Sequence, residues 1–136
     1  MYQLIYVSDK IETFTPSDME EILCKARKNN AQYGITGLLV ELPEHFIQIL
    51  EGTQDKVEFT FNLICEDIRH TNIRVLLAEK TRAREMESWD MGFSEDLDPS
   101  QLDDARLILN NFSEKQNFSD IHRQSLKLLL KSLCHE

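Results

Sequence analysis

Two polar residues stand where an apolar core would be expected. Tyr6 lies within Leu4-Ile5-Tyr6-Val7, and Gln48 lies within Phe46-Ile47-Gln48-Ile49-Leu50. A buried glutamine has two donors and two acceptor sites, and leaving them unpaired costs about 1–3 kcal/mol. A third polar residue, Asn30, continues an apolar helical face, with Asn29 beside it. Asp67-Ile68-Arg69-His70 follows a second helical segment, where Arg69 can serve a carbonyl or a phosphate. Polar groups converging on an apolar layer are the usual composition of a small-molecule pocket. Each also has a plain structural reading. A core tyrosine packs with its tip hydrogen-bonded, a core or edge glutamine is satisfied by its neighbours, and a basic helix end favours the C-terminal dipole.

The elements that must position these groups can be read from periodicity. Residues 2–8 form a short apolar run of β type, a first strand. Thr15-Pro16-Ser17-Asp18 starts a helix, with Thr15 as N-cap, Pro16 at the first position and Asp18 facing the positive end. Met19, Ile22, Leu23, Ala26 and Asn30 then recur at helical spacing. Residues 34–41 and 45–51 are predicted as a hairpin turning at Pro43. Thr53 is predicted to cap a second helix, whose face carries Val57, Thr60, Phe61, Ile64 and Ile68. Residues 72–80 are a fourth strand, and residues 89–94 a short fifth one. The order βαββαβ(β) is the ferredoxin-like α+β signature, a sheet with two helices on one face. The first and third strands are then central neighbours, so Tyr6 and Gln48 stand side by side.

Several strands are apolar at successive positions, such as Val75-Leu76-Leu77-Ala78. A sheet with one wet face alternates instead, so both faces are expected to be covered. The tail can supply the second cover. Ser100 is predicted to cap a helix carrying Leu102, Ala105, Leu109 and Phe112, and Ser119 one carrying Leu126, Leu129, Leu130 and Leu133. These two C-terminal helices are expected on the opposite sheet face; contact with a partner subunit is the competing reading. The acidic residues 94–100, with Pro99, mark the seam.

Here the residues resemble a family. The chain is similar to the BLUF domain, the blue-light sensor using flavin, from about Met1 to Phe93 and more loosely through the tail. The resemblance rests on Leu4-Ile5-Tyr6-Val7-Ser8, Arg27-Lys28-Asn29-Asn30, Gly34-Ile35-Thr36-Gly37-Leu38-Leu39, Phe46-Ile47-Gln48-Ile49-Leu50-Glu51-Gly52, Asp67-Ile68-Arg69-His70 and Trp89-Asp90-Met91-Gly92-Phe93, in their joint order and spacing. It implies a flavin-binding domain over residues 1–95 and a helical extension over residues 96–136. The flavin ring would lie between the two helices, with Ile22 and Ile64 on its faces. Asn30, supported by Asn29, would hydrogen-bond its polar edge, and the Asp67–His70 segment, through Arg69 and His70, would border its pyrimidine end. Gln48 would bridge Tyr6 and the flavin, while Trp89 and Met91 would alternate as near neighbours that carry the signal outward. The residue types agree with this chemistry. A phenol can give an electron and a proton to an excited flavin, and an amide can exchange its donor and acceptor ends by rotation or tautomerisation. The rearranged amide would donate to the C4 carbonyl and shift the absorption to the red. FAD is the implied cofactor, with FMN not excluded and no metal called for. Ala26 stands where many members have serine, and Leu63 where some carry a basic residue, departures that bear on kinetics and leave the Tyr6–Gln48 pair intact.

Composition limits the rest. The chain has 136 residues and a net charge of −9, from 24 acidic against 15 basic side chains. That length suits one domain with its own core and leaves no room for a separate catalytic module. The acidity argues against nucleic acid, which needs a basic surface. Cys24, Cys65 and Cys134 form no CxxC pair and fit a reducing cytoplasm. The N-terminus does not read as a signal peptide, and no apolar run is long enough for a membrane span. No P-loop, HExxH or GxSxG motif appears, so the chain is not read as an enzyme. An acylphosphatase-type enzyme would need an arginine in its phosphate loop, and residues 8–15 offer only Lys10. A single-stranded RNA binder would need exposed aromatics with basic flanks. A cysteine-adduct flavin receptor lacks its cysteine motif here. The alternative that remains is an interaction domain without a chromophore. By resemblance to short, stand-alone BLUF proteins, the output is expected on an unidentified downstream protein, with homo-oligomers formed.

Overall fold

The computed structural model describes residues 1–84, 91–112, 124 and 126–128; Asp96, Asn111 and Phe112 are described by backbone only. Five strands form one sheet in the order β4-β1-β3-β2-β5. The strands are β1 (Tyr2–Lys10), β2 (Thr36–Glu41), β3 (His45–Gly52), β4 (His70–Lys80) and β5 (Gly92–Phe93). Helices α1 (Pro16–Tyr33) and α2 (Gln54–Cys65) connect them, and α3 (Pro99–Phe112) follows a single 3-10 turn at Ser94–Asp96. β1 lies between β3 and β4, antiparallel to both, and β2 continues the antiparallel pairing beyond β3. β5 runs parallel to β2, pairing Gly92 with Leu38 and Phe93 with Leu39. This is the ferredoxin-like arrangement expected from the element order, with a fifth strand at the edge.

Both faces of the central strands are covered, which explains their unbroken apolar runs. The run in the edge strand β4 departs from this: Val75 is 47% exposed, Ala78 is exposed, and Leu76 and Leu77 both enter the α3-side core. Leu4, Tyr6, Leu39, Phe46 and Leu50 face α1 and α2, where they meet Met19, Leu23 and Val57. Ile5, Val7, Leu38, Ile47 and Ile49 face the other way, against Ala105 and Ile108 of α3 and against Leu126. Alternate residues of one strand therefore enter two separate cores. The tail's first helix occupies the face expected for it. The expected helix from Ser119 lies mostly outside the described residues, yet Leu126 is fully buried in the α3-side core. Leu129, Leu130 and Leu133 lie outside the described residues.

Local chemistry corrects several boundaries. Thr15 caps α1 as expected, its hydroxyl accepting from Asp18 N–H while Asp18 returns a bond to the Thr15 amide. Gly34 does not begin a strand; it ends α1 in the left-handed region at φ 67°, its N–H donating to the Asn30 carbonyl. Thr53 stands at the N-cap of α2, but its side chain makes no capping bond. Ile68 does not share the buried α2 face, because the helix has ended at Cys65 and the side chain is 85% exposed. The α3 cap is Asp98 and not Ser100: Asp98 accepts from the Gln101 N–H at 2.8 Å, and the Gln101 side chain accepts from the Asp98 N–H at 2.9 Å. Asp98 wins because the reciprocal glutamine stands three residues on. Within α3, Ile108 takes a fully buried place and Leu109 only a partly buried one.

Candidate functional site

A cavity of about 600 Å³ opens between the sheet, α1 and α2. Ile22, Ala26, Asn29 and Asn30 line it from α1, and Tyr6, Leu39, Phe46 and Gln48 from the sheet. Thr60, Leu63 and Ile64 face it from α2, and Asp67, Ile68, Arg69 and His70 close it beyond the helix end. The volume lies in the range of small-molecule sites, and the lining is mostly apolar with a few polar groups.

Tyr6 and Gln48 are cross-strand partners in the β1–β3 register. The Tyr6 hydroxyl donates a hydrogen bond to Gln48 Oε1 in the buried layer. Gln48 Nε2 donates to Met91 Sδ at 3.7 Å. Both side chains are almost fully buried. Burial pushes the Tyr6 pKa well above the usual phenol range, with nearby Cys65 and Asp67 adding to the rise. A hydroxyl both donates and accepts, so Tyr6 can pair with either end of the amide. A thioether only accepts, so Met91 favours the amide orientation that turns Nε2 towards it.

The remaining expected residues fall into two groups. Asn30 is buried, and its backbone carbonyl accepts from Gly34 and Ile35, which fixes the end of α1. Asn29, Ile22 and Ile64 are half-buried along the cavity wall. Arg69 and His70 reach the wall but are committed to protein partners. Arg69 Nε donates to both Asp67 oxygens, Nη2 donates to Asp67 Oδ2, and Nη1 donates to Glu21. Those hydrogen bonds hold the Asp67 carboxyl below the usual range. His70 Nε2 lies 2.8 Å from the Ile64 carbonyl and Nδ1 lies 2.8 Å from Ser8 Oγ. A carbonyl only accepts, so Nε2 carries the proton in this geometry, and the ring ties α2 to β1. Trp89 lies outside the described residues.

Sequence reasoning places Thr60 on an apolar helix face and not among the site residues. Its side chain is buried, and Oγ1 has no partner among the described residues. The signal was available, because a hydroxyl among Val57, Phe61 and Ile64 is the same kind of anomaly as Asn30. The bond from Arg27 Nε to the Met91 carbonyl, at 3.0 Å, is likewise invisible in the sequence. No local pattern joins residues so far apart along the chain.

Residues 1–92 match the family model described as "BLUF: Sensors of blue-light using FAD". Among curated proteins, the chain is similar to the "Blue light- and temperature-regulated antirepressor BluF" of Escherichia coli (strain K12). They are 37% identical over 81 residues, which cover 60% of this chain and 20% of that protein. The chain spans between 8% and 20% of the length of the curated relatives it matches. Among solved structures, "BlsA photo-activated state" matches with a TM-score of 0.77 at 28% identity, covering 98% of this chain and 94% of that one. "BlrB - a BLUF protein, dark state structure" matches with a TM-score of 0.77 at 26% identity, covering 96% and 95% of the two chains.

Proposed function

This chain belongs to the BLUF family, the sensors of blue light using FAD, and from that premise we propose that Tyr6 and Gln48 are the photoactive pair of a flavin-binding receptor. The observation that carries the reading is the Tyr6–Gln48 hydrogen bond inside a cavity of ring-binding size. The residues present fit the cofactor. The apolar walls suit a flat ring, Asn29, Asn30 and Gln48 supply amide groups for its polar edge, and the unpartnered Thr60 hydroxyl is a polar atom awaiting a partner. Ile22 and Ile64 would flank the ring, with Asp67, Arg69 and His70 closing the site. These contacts address the ring that FAD and FMN share.

Bound flavin supplies the blue absorption and, once excited, the oxidising power to take an electron from a nearby phenol. The protein directs the proton. Burial keeps it on Tyr6 Oη in the dark, because a phenolate would be poorly solvated there. A phenol that has lost an electron is a strong acid, and its hydrogen bond already points at Gln48 Oε1. The proton therefore has a path to the amide oxygen. Rotation of the amide, or its conversion to the imidic tautomer, changes which end of Gln48 donates. Either change alters the Nε2 contact with Met91 Sδ. The electron and proton return to Tyr6 as the excitation decays, and only the rearranged amide reverts slowly in the dark, so nothing is consumed and no substrate turnover is assigned to this chain.

Residues 1–95 would form the sensing unit and residues 96–136 the coupling extension. Met91 precedes β5, and the turn after β5 leads directly into α3. A rearrangement at Met91 is thus delivered to the start of the tail. The output would then fall on a separate protein partner, as the word antirepressor in one relative's name suggests, with homo-oligomers as the receptor form. Acidity disfavours nucleic acid as the direct target. Among the described residues no helix is long and apolar enough to cross a membrane, and a cytoplasmic location fits the reading.

The deciding experiment is a light-minus-dark absorption spectrum of the purified, flavin-reconstituted protein. A small reversible red shift is expected, absent in Tyr6→Phe and in Gln48→Leu while flavin still binds. A protein that stays colourless after reconstitution overturns the reading. Deleting residues 100–136 should abolish light-dependent partner binding, and unchanged binding would refute the tail route.

A further inference from the structure

We infer that Arg27 is a positioning residue that holds the Met91 segment against α1 and thereby sets how long the rearranged Gln48 amide persists. The inference rests on the photoreceptor reading above. Its geometry is a chain of three hydrogen bonds. Tyr6 donates to Gln48 Oε1, Gln48 Nε2 donates to Met91 Sδ, and Arg27 Nε donates to the Met91 carbonyl at 3.0 Å.

Arg27 is set apart from the cofactor cavity. Ala26, Asn29 and Asn30 line that cavity from α1, whereas Arg27 is not among its lining residues. It lines instead a separate open cleft with Met19, Leu23 and Phe93. One helix thus walls the flavin site and, through Arg27, grips the segment beside it.

Met91 needs such a grip. β5 is only two residues long and pairs with β2 through Gly92 and Phe93, beginning one residue after Met91. The Met91 side chain is buried, and its Cε lies where Gly37 leaves room. A Cβ at Gly37 would come within 3.0 Å of that methyl and 2.3 Å of the Ile49 carbonyl oxygen. The sulfur therefore meets Gln48 only while the Met91 backbone stays in place.

The direction of the effect comes from the sulfur. A thioether accepts and does not donate, so it stabilises the amide orientation with Nε2 towards it. The photochemical rearrangement gives up that contact. Removing the Arg27 bond loosens Met91, weakens the preference for the starting orientation and slows the return.

Side-chain length supplies the test. In arginine and glutamine, Nε and Nε2 are the same number of bonds from Cα, so Arg27→Gln keeps a donor at the same reach without the charge. Arg27→Met places a methyl there and no donor. Dark recovery of the red-shifted state is followed in flavin-loaded wild type, Arg27→Met and Arg27→Gln, each also in a Met91→Ala background. Arg27→Met should lengthen the half-time by about two- to fivefold, the range a weak hydrogen bond to sulfur carries. Arg27→Gln should recover at nearly the wild-type rate. In the Met91→Ala background neither substitution should alter the half-time further.

The inference is overturned if Arg27→Met recovers as fast as wild type or faster. It is also overturned if Arg27→Gln is as slow as Arg27→Met, or if Arg27→Met slows Met91→Ala by the same factor. Should Arg27→Met bind no flavin, Arg27→Ala takes its place with the same expectations. A wild-type protein with no red shift would count against the photoreceptor reading, a different outcome from one in which wild type cycles and Arg27 has no influence.

Discussion

Tyr6→Phe isolates one atom at the centre of the site. The phenylalanine ring keeps the packing of Tyr6 against Phe61, at 5.5 Å between centroids, and against His70, at 6.1 Å. Only the hydroxyl is lost, and with it the bond to Gln48 Oε1. Gln48 is 4% exposed, so water cannot readily replace that donor. An acceptor left unpaired in such a place costs about 1–3 kcal/mol. For 136 residues, an unfolding entropy of about 2.1 cal/mol/K per residue converts this to a loss of about 4–10 °C in Tm. The double variant Tyr6→Phe/Gln48→Leu removes both partners and should melt above Tyr6→Phe, because no buried acceptor remains orphaned. Calorimetry of the flavin-free proteins measures the first effect, and the light-minus-dark spectrum of the loaded proteins measures the second. Tyr6→Phe should bind flavin and show no red shift. If its Tm equalled that of wild type and the double variant melted lower still, the hydrogen bond would not be the stabilising contact argued here. If the red shift persisted at full amplitude, Tyr6 would not be the electron and proton donor.

The other sites give sharper local tests. Thr60→Val removes an unpartnered buried hydroxyl, so the flavin-free protein should be at least as stable as wild type by denaturant melt. If the hydroxyl meets the ring, flavin affinity measured by fluorescence titration should fall by about 2- to 12-fold, the worth of one hydrogen bond. Gly37→Ala places a Cβ against the Ile49 carbonyl, and this overpacking of β2 on β3 should cost about 1–3 kcal/mol, measured as a lower urea midpoint. Asp67 is held below the usual carboxyl range chiefly by the Arg69 hydrogen bonds. In Asp9, burial opposes the lowering but the Asn72 and Arg74 hydrogen bonds outweigh it. Carboxyls depressed on folding add stability that is complete above the unfolded value of about 3.9 and is lost as the pH falls through the folded value. Urea midpoints should therefore fall on acidification below about pH 4, and Asp67→Asn should flatten part of that limb.

The fold is legible wherever a periodic pattern has one physical cause. Unbroken apolar strands require two covered faces, and Ile5 and Tyr6 do point into different cores. Thr15 with Asp18 three residues later is a self-contained capping signal and places the start of α1. Boundaries fail where a rival residue lies close by. Ser100 is a good cap by type, but Asp98 has a glutamine at the matching offset, and the reciprocal bonds decide between them. The apolar run beside Gly34 draws that glycine into a strand by pattern alone. Its left-handed backbone shows that it closes the helix instead. Ile68 continues the apolar spacing of α2 only if the helix continues, and the turn at Glu66 ends that spacing.

The site divides along a similar line. Tyr6 and Gln48 are readable because strand order converts two sequence positions into one cross-strand pair. Arg69 and His70 are readable as residues of the cavity wall, but their partners are not. Asp67 stands two residues before Arg69 and takes its fork, and His70 spans Ser8 and the Ile64 carbonyl. These commitments separate two tasks that residue type alone merges. The Arg69 and His70 contacts brace the end of α2 against β1 and α1, whereas Tyr6, Gln48 and Met91 form a line in which each hydrogen bond depends on the next. Tyr6 tolerates either end of the amide, and Met91 favours one. A tolerant partner on one side and a selective partner on the other allow an amide two states while giving it a resting state. The selective partner belongs to the segment that leads to α3, so on the proposed photoreceptor reading the contact that would restore Gln48 is also the contact through which its change would leave the site.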